Sequence, residues 1–375
     1  MKLSDIVDRI NGNVDRFTTD LEYYIGGEHM KSNELEITGR GMLKENLGKL
    51  GFKFHFAFQE RDVIFMARNP HLRKAGMVMF AGLCSDASYI LRSKDENVIT
   101  QEFLAVQLQS DHFWDYCERT KVGSVNFANN WTSIANYEFD LPPIKEQKEI
   151  SQKVWAAYRL KGSYKKLLAA TDEMVKSQFI GMFGDPMTNS KGWSEHGKIN
   201  KYAQIILGST PNSKEASYWD GDIKWITPAE MTEESYYIYD TEHHITEEGV
   251  NSASLTLLPY RSVLFSTRAP IGKVGLVGSP MYCNQGFKNF ICGNQLNPVY
   301  LYYSLIYKRE YLVSLGTGTT FKELSKKTVE GLELAIPPIY LQEQFEKIYD
   351  QADKSKFELR KSIDMSFNNY IRLGI

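Results

Sequence analysis

Four segments of this chain occur twice, in the same order and at nearly constant spacing. Arg61-Asp-Val-Ile-Phe-Met-Ala-Arg68-Asn-Pro70 returns as Arg261-Ser-Val-Leu-Phe-Ser-Thr-Arg268-Ala-Pro270. Tyr24-Ile25 through Met30 returns as Trp225-Ile226 through Met231, and Cys84 returns as Cys283. Leu141-Pro-Pro-Ile144-x-x-Gln147 returns as Ile336-Pro-Pro-Ile339-x-x-Gln342. One such match arises easily by chance, but four collinear ones do not. The chain therefore reads as two homologous halves, and whatever fold it adopts has to be built twice. Its 375 residues suit that reading at roughly 100–200 residues per domain.

Each Pro-Pro introduces a different kind of sequence. Proline is well placed in the first turn of a helix and badly placed inside one, and after Pro143 the next proline is Pro186. Between them Ile150, Val154, Ala157, Lys161, Tyr164, Leu168, Thr171, Val175, Gln178 and Met182 fall at alternating steps of four and three, a heptad seam. After Pro338 the residues Leu341, Phe345, Ile348, Ala352, Ser355 and Leu359 repeat that spacing. Helices of this length are far beyond the globular mean of about 11–12 residues, so two of them, one per repeat, are expected to pack on each other. Contacts are expected from Ile150, Val154, Tyr164 and Leu168 to Phe345, Ile348, Ala352 and Leu359. Gly184-Asp-Pro186 is the stop signal of the first arm.

The stretches before each arm carry short β-rich runs (Val63–Met66, Gly76–Phe80, Ser262–Ser266, Gly275–Val277) and a helical stretch near Gln101–Gln109 and Val299–Tyr307. The expected class is α+β. It comprises two α+β blocks, 1–140 and 185–336, and two long helical arms, 141–184 and 337–375.

Composition narrows the function. With 44 Lys and Arg against 46 Asp and Glu the net charge is −2, so binding to a polyanion by bulk charge is excluded and local basic patches or a partner are needed. The first arm holds eight basic residues against four acidic ones, whereas Glu215 to Glu248 carries ten acidic residues and one lysine. The four cysteines form no Cys-x-x-Cys pair, which argues for free buried thiols in a reducing compartment. Nothing near the start resembles a signal peptide, and the most apolar window, Ala75 to Cys84, is about half a bilayer span. A cytoplasmic protein is expected. Enzyme signatures fail in turn. Gly272-Lys273 lacks the rest of a P-loop, Gly316-Thr-Gly-Thr-Thr320 has no strand-to-helix crossover around it, and Pro142-Pro143 lacks the flanks of an amino-methyltransferase tetrapeptide. No catalytic residue and no metal ligand is assigned. The loops Arg68–Lys74, Arg268–Lys273 and Thr317–Lys327 mix basic residues with Gly, Thr, Ser and Asn. By residue type they suit phosphate and base-edge contacts, and by spacing alone they are ordinary polar loops.

Phe265-Ser-Thr-Arg268-Ala-Pro-Ile-Gly-Lys-Val-Gly-Leu-Val277, followed by Asn284-Gln-Gly-Phe287, resembles the specificity subunit of type I restriction–modification systems. Met182-Phe-Gly-Asp-Pro186 with Gly192-Trp193, Gly208-Ser-Thr-Pro211 with Tyr218-Trp219, and both Pro-Pro-Ile-x-x-Gln helix starts are similar to the same family. The first half departs from it, with Cys84-Ser-Asp-Ala-Ser-Tyr89 where the second has Asn284-Gln-Gly-Phe287. The resemblance implies two target recognition domains, each reading half of a bipartite, asymmetric site in double-stranded DNA, held apart by antiparallel spacer helices in a pseudo-two-fold particle. It implies a chain without a catalytic site or cofactor. The partners would be two modification subunits and, where a system has them, restriction or translocase subunits, which use S-adenosylmethionine, ATP and Mg. Candidate DNA contacts are then Arg68, Arg73, Lys74, Lys121, Asn126, Lys214, Arg268, Lys273, Gln285, Lys288, Thr319, Thr320 and Lys322. The alternative is a scaffold or regulatory relative that binds methyltransferase subunits without reading DNA.

Overall fold

The computed structural model describes residues 1–124, 127–232, 236–268, 270–317 and 322–371, the last eight by their backbone. Contacts divide the chain into two units: Met1–Leu167 together with the chain from Leu359 onward, and Leu168–Glu358.

The first unit is organised by a mixed five-stranded sheet of β1 (Val7–Ile10), β2 (Glu36–Ile37), β3 (Val63–Met66), β4 (Ala75–Val78) and β5 (Ser88–Ser93), in the spatial order β1-β5-β3-β4-β2. The β2–β4 pair is parallel and the others antiparallel. β3 and β4 are buried at every position, as their unbroken apolar runs require. Helix α1 (Gln101–Gln107), capped by the Thr100 hydroxyl on the Phe103 amide, covers the sheet with Phe103, Leu104 and Val106.

The second unit repeats the plan. Its strands β6 (Ala203–Leu207), β7 (Tyr237–Ile238), β8 (Val263–Phe265), β9 (Val274–Val277) and β10 (Lys288–Cys292) lie in the order β6-β10-β8-β9-β7, again with one parallel pair, β7–β9, at the edge. The turn before the central strand is also repeated. Arg61 and Arg261 adopt left-handed φ values of 70° and 69°, and their amides donate to Val78 and Val277. A non-glycine residue in that region is uncommon, so its occurrence at both places marks the same local solution. Here the cap of helix α3 (Pro298–Tyr307) is Asn297.

The two long helices start where the prolines place them. α2 spans Ile144–Phe183 and α4 spans Ile339–Ile371, 40 and 33 residues. The glutamine of each Pro-Pro-Ile-x-x-Gln motif is fully buried. Gln147 Oε1 accepts from the Thr100 amide at 3.1 Å, and its Nε2 donates to the Val98 and Pro142 carbonyls at 2.8 and 2.9 Å. Gln342 does the same with the Asn297 amide (2.8 Å) and the Gln295 and Pro337 carbonyls (3.0 and 2.7 Å). One carboxamide thus ties the start of a long helix to the N-cap residue of the short helix in its own unit. Gly184, at φ +79°, closes α2 with its amide on the Ile180 carbonyl.

The expected seam requires correction. Val154 is buried in the first unit's core, and Ile150 packs against it. Phe345 and Ala352 belong to the second unit's core. Those expected partners therefore serve different cores. Tyr164, Leu168, Ile348 and Leu359 are half-buried. At the far end of α2 the buried residues are Val175, Phe179 and Phe183, one position past the expected Gln178 and Met182. Phe179 stacks on Tyr300, Tyr303 and Tyr307 of α3 and meets Phe345 edge-on at 5.3 Å. Asp172 receives Lys356 at 2.9 Å.

Candidate nucleic-acid interface

In the second unit the segments singled out by motif are joined by hydrogen bonds. Gly208-Ser-Thr-Pro211 follows β6 and lies against Asn284-Gln-Gly-Phe287. The Ser209 amide donates to the Cys283 carbonyl at 3.0 Å, Thr210 bonds Gln285, and a Cβ on Gly208 would collide with the Asn284 carbonyl. The loop after β8 joins them through the Thr267 amide on the Gly286 carbonyl at 2.8 Å. Residues 322–324 close the group, with the Leu324 amide on the Thr267 carbonyl at 2.9 Å and Glu323 bridged to both Arg268 and Thr317. Trp225 and Trp219 fix the outer loop by donating to the Ser209 and Asn212 carbonyls.

The first unit has the same scaffold. The Ala67 amide donates to the Ala87 carbonyl, the Asn129 amide to the Ala67 carbonyl, and Arg68 bridges Ala128.

The sequence candidates divide by what their cationic ends touch. Arg68, Lys214 and Lys322 are exposed, with no ion-pair partner among the described residues. Gln285 is exposed beside Thr210. Arg73 pairs with Asp111 at 2.6 Å, and Lys121 pairs with Glu118 at 2.6 Å while lying over the Phe127 ring. Arg268, half-exposed, gives its Nε to Glu323 at 2.9 Å.

Three candidates are corrected to internal struts. Lys74 donates to the Gly27 carbonyl, Lys273 to the Pro228 and Met231 carbonyls, and Lys288, 6% exposed, to Thr267 and Glu323 at 3.0 Å each. Lys288 is buried with its ammonium on two acceptors, whereas Lys74 and Lys273 are half-buried with theirs on backbone carbonyls. Asn126, Thr319 and Thr320 lie outside the described residues. Sequence reasoning missed Glu323. Burial alone would raise its carboxyl, but hydrogen bonds from Lys288 and Arg268 and their charges hold it below the ordinary glutamate value. Nothing in the repeat could have found it, because its counterpart is Ala128.

The arrangement is two similar sheets, each presenting loops that carry arginine at the same position. It matches a known family. The profile described as type I restriction modification DNA specificity domain covers residues 1–163 and again 191–365. The chain belongs to that family. The MjaIX specificity subunit of a type I restriction enzyme from Methanocaldococcus jannaschii is 40% identical over 143 residues, 37% of this chain and 33% of that protein. A putative MjaX specificity subunit from the same organism is 24% identical over 341 residues, 85% of this chain and 77% of that protein. The EcoR124I/EcoR124II specificity subunit of Escherichia coli is 27% identical over 168 residues, spanning 40% of its length. In fold, the chain is similar to a type I restriction–modification S subunit from M. genitalium (TM-score 0.64, 11% identity, 100% of this chain and 94% of that one). It is also similar to a chain from a study of assembly and conformational transition in a type I system (TM-score 0.55, 18% identity, 99% and 96% covered). No described helix is long and apolar enough to cross a membrane.

Proposed function

We propose that this chain is the DNA-reading subunit of a cytoplasmic type I restriction–modification complex. Each sheet-based domain recognises one half of a bipartite, asymmetric site in double-stranded DNA. α2 and α4 act as antiparallel spacers that dock two modification subunits and, where present, restriction subunits. Chemistry belongs to those partners, which would hold S-adenosylmethionine, ATP and Mg, and this chain is non-catalytic. The observation that carries the reading is the tandem match of one DNA-specificity profile to two units with the same strand order. The antiparallel arrangement is supported by the order of contacts, with Phe183 and Phe179 on Phe345 and Asp172 further back on Lys356. In this reading the recognition domains are 1–140 and 185–336, and the helices that follow them contain α2 and α4.

The test is methylation sequencing of DNA from cells carrying this chain with its modification subunit. The expected result is a motif of two fixed blocks separated by a fixed gap. Methylation without sequence preference would sink the reading, and methyl transfer by the purified chain alone would sink its non-catalytic part.

A further inference from the structure

We propose that Arg268 reads a guanine in the half-site of the second unit, and that Glu323, anchored from below by the buried Lys288, is the residue that positions it. The inference rests on the DNA-reading function above and adds to it the base and the supporting pair.

The argument starts from Lys288. An ammonium that is 6% exposed is costly unless its charge is matched. Glu323 supplies the match through Oε1 at 3.0 Å, with Thr267 Oγ1 as second acceptor. That fixes the carboxylate and leaves Oε2 to accept from Arg268 Nε at 2.9 Å. Because the bond is made at Nε, the two terminal NH2 groups of the guanidinium have no hydrogen-bond acceptor among the described residues. A planar fork held by a carboxylate and still free at its end matches the paired O6 and N7 acceptors that only guanine presents in the major groove. Fixing the fork beforehand also removes rotamer freedom that binding would otherwise have to remove. The backbone agrees, since the Arg268–Glu323 bridge and the Leu324–Thr267 hydrogen bond tie the carboxylate's segment to the arginine's loop.

The first unit shows what the same scaffold looks like without this device. The registers Val63↔Leu91 and Val263↔Phe290 make Tyr89 the counterpart of Lys288, and the bridges Arg68↔Ala128 and Arg268↔Glu323 make Ala128 the counterpart of Glu323. Tyr89 instead donates to the Asn129 carbonyl, and Arg68 has no carboxylate partner among the described residues. The guanine contact is therefore specific to the second half-site.

The experiment uses the full chain co-expressed with its modification subunit and reads the methylation motif position by position. Arg268→Lys keeps the charge at a half-exposed site and removes the fork. It should reduce discrimination at one G·C pair of the second block by roughly 5- to 150-fold, leaving every other position and the gap unchanged. Glu323→Gln should relax the same position to a smaller extent. Since it leaves Lys288 poorly matched, the double variant Glu323→Gln with Lys288→Met keeps the test valid if the single variant melts early, and should relax that position too. Arg68→Lys should not alter the second block. An unchanged motif in Arg268→Lys, or relaxation at an A·T pair, overturns the proposal while leaving the functional reading intact. A wild-type complex without any motif overturns both.

Discussion

Replacing Gln342 by Met tests whether the buried carboxamide is what fastens α4 to its unit. The side chains are similar in length, so the change removes three hydrogen bonds with little change in packing volume. The Asn297 amide loses its acceptor in a fully buried site, and an orphaned buried donor costs about 1–3 kcal/mol. The Gln295 and Pro337 carbonyls lose a donor each, at about 0.5–1.5 kcal/mol apiece. The sum is about 2–6 kcal/mol. At about 2–4 °C per kcal/mol for a domain of this size, the transition of the second unit should fall by roughly 4–24 °C in a calorimetric scan. Gln344→Met, two residues along on the opposite, exposed face, is the control and should stay within about 0.5 kcal/mol. Gln342→Glu separates hydrogen bonding from shape. Its carboxylate still accepts from Asn297 but faces two carbonyl oxygens, so it should destabilise more at pH 7 than at pH 4. A Met variant indistinguishable from the Gln344 control would refute the reasoning, and the glutamine would then be a passenger of the motif.

The thiols give a pH prediction. Burial pushes Cys84, Cys283 and Cys292 up to about 12, while unfolded thiols ionise near 8.5. Their contribution to stability is therefore complete below about pH 8.5 and declines as pH rises toward 12, and a thiol reagent at pH 8 should titrate them only after denaturant is added. Lys322→Ala and Lys214→Ala, each removing an exposed cation, should weaken binding of all sequences by the complex alike and reduce its salt slope by about one where they touch phosphate, which filter binding across salt concentrations would measure. Four residues inserted into α2 lengthen it by about 6 Å and should widen the preferred gap between half-sites by one or two base pairs at about 3.4 Å each. Altered half-sites with the original gap, read by methylation sequencing, would show that the helices do not set the spacing.

What the sequence disclosed follows from where physics leaves few choices. The matched segments were legible because they form the buried strands β3 and β8, the left-handed turns at Arg61 and Arg261, and the helix starts with Pro-Pro and a buried glutamine. Each of these tolerates little change. The charged candidates were less legible because a lysine in a polar loop looks the same whether it meets solvent or carbonyls. Lys273 and Lys322 differ only in what the fold brings to them. Glu323 was invisible because it gains its role from Lys288 and Arg268, distant in sequence and absent as a set from the first half.

The shifted seam makes the same point about the arms. A heptad read through α2 alternates steps of four and three and reaches Gln178 and Met182, as two helices wound on one another would require. The buried residues instead step by four, Val175, Phe179 and Phe183, which carries the stripe around the helix toward Tyr300, Tyr303 and Tyr307 of α3. The other end behaves alike, with Gln147, Ser151, Val154 and Trp155 turned into the first unit. Each end of α2 is thus a core helix of the unit it enters, with its rotation fixed by that unit's packing and, at the start, by Gln147. Leu160, Leu167 and Met174, seven apart along the stretch between, are about half exposed. The core anchors of α2 thus lie toward its two ends, where Gln147, Val154 and Trp155 enter one core and Val175, Phe179 and Phe183 the other.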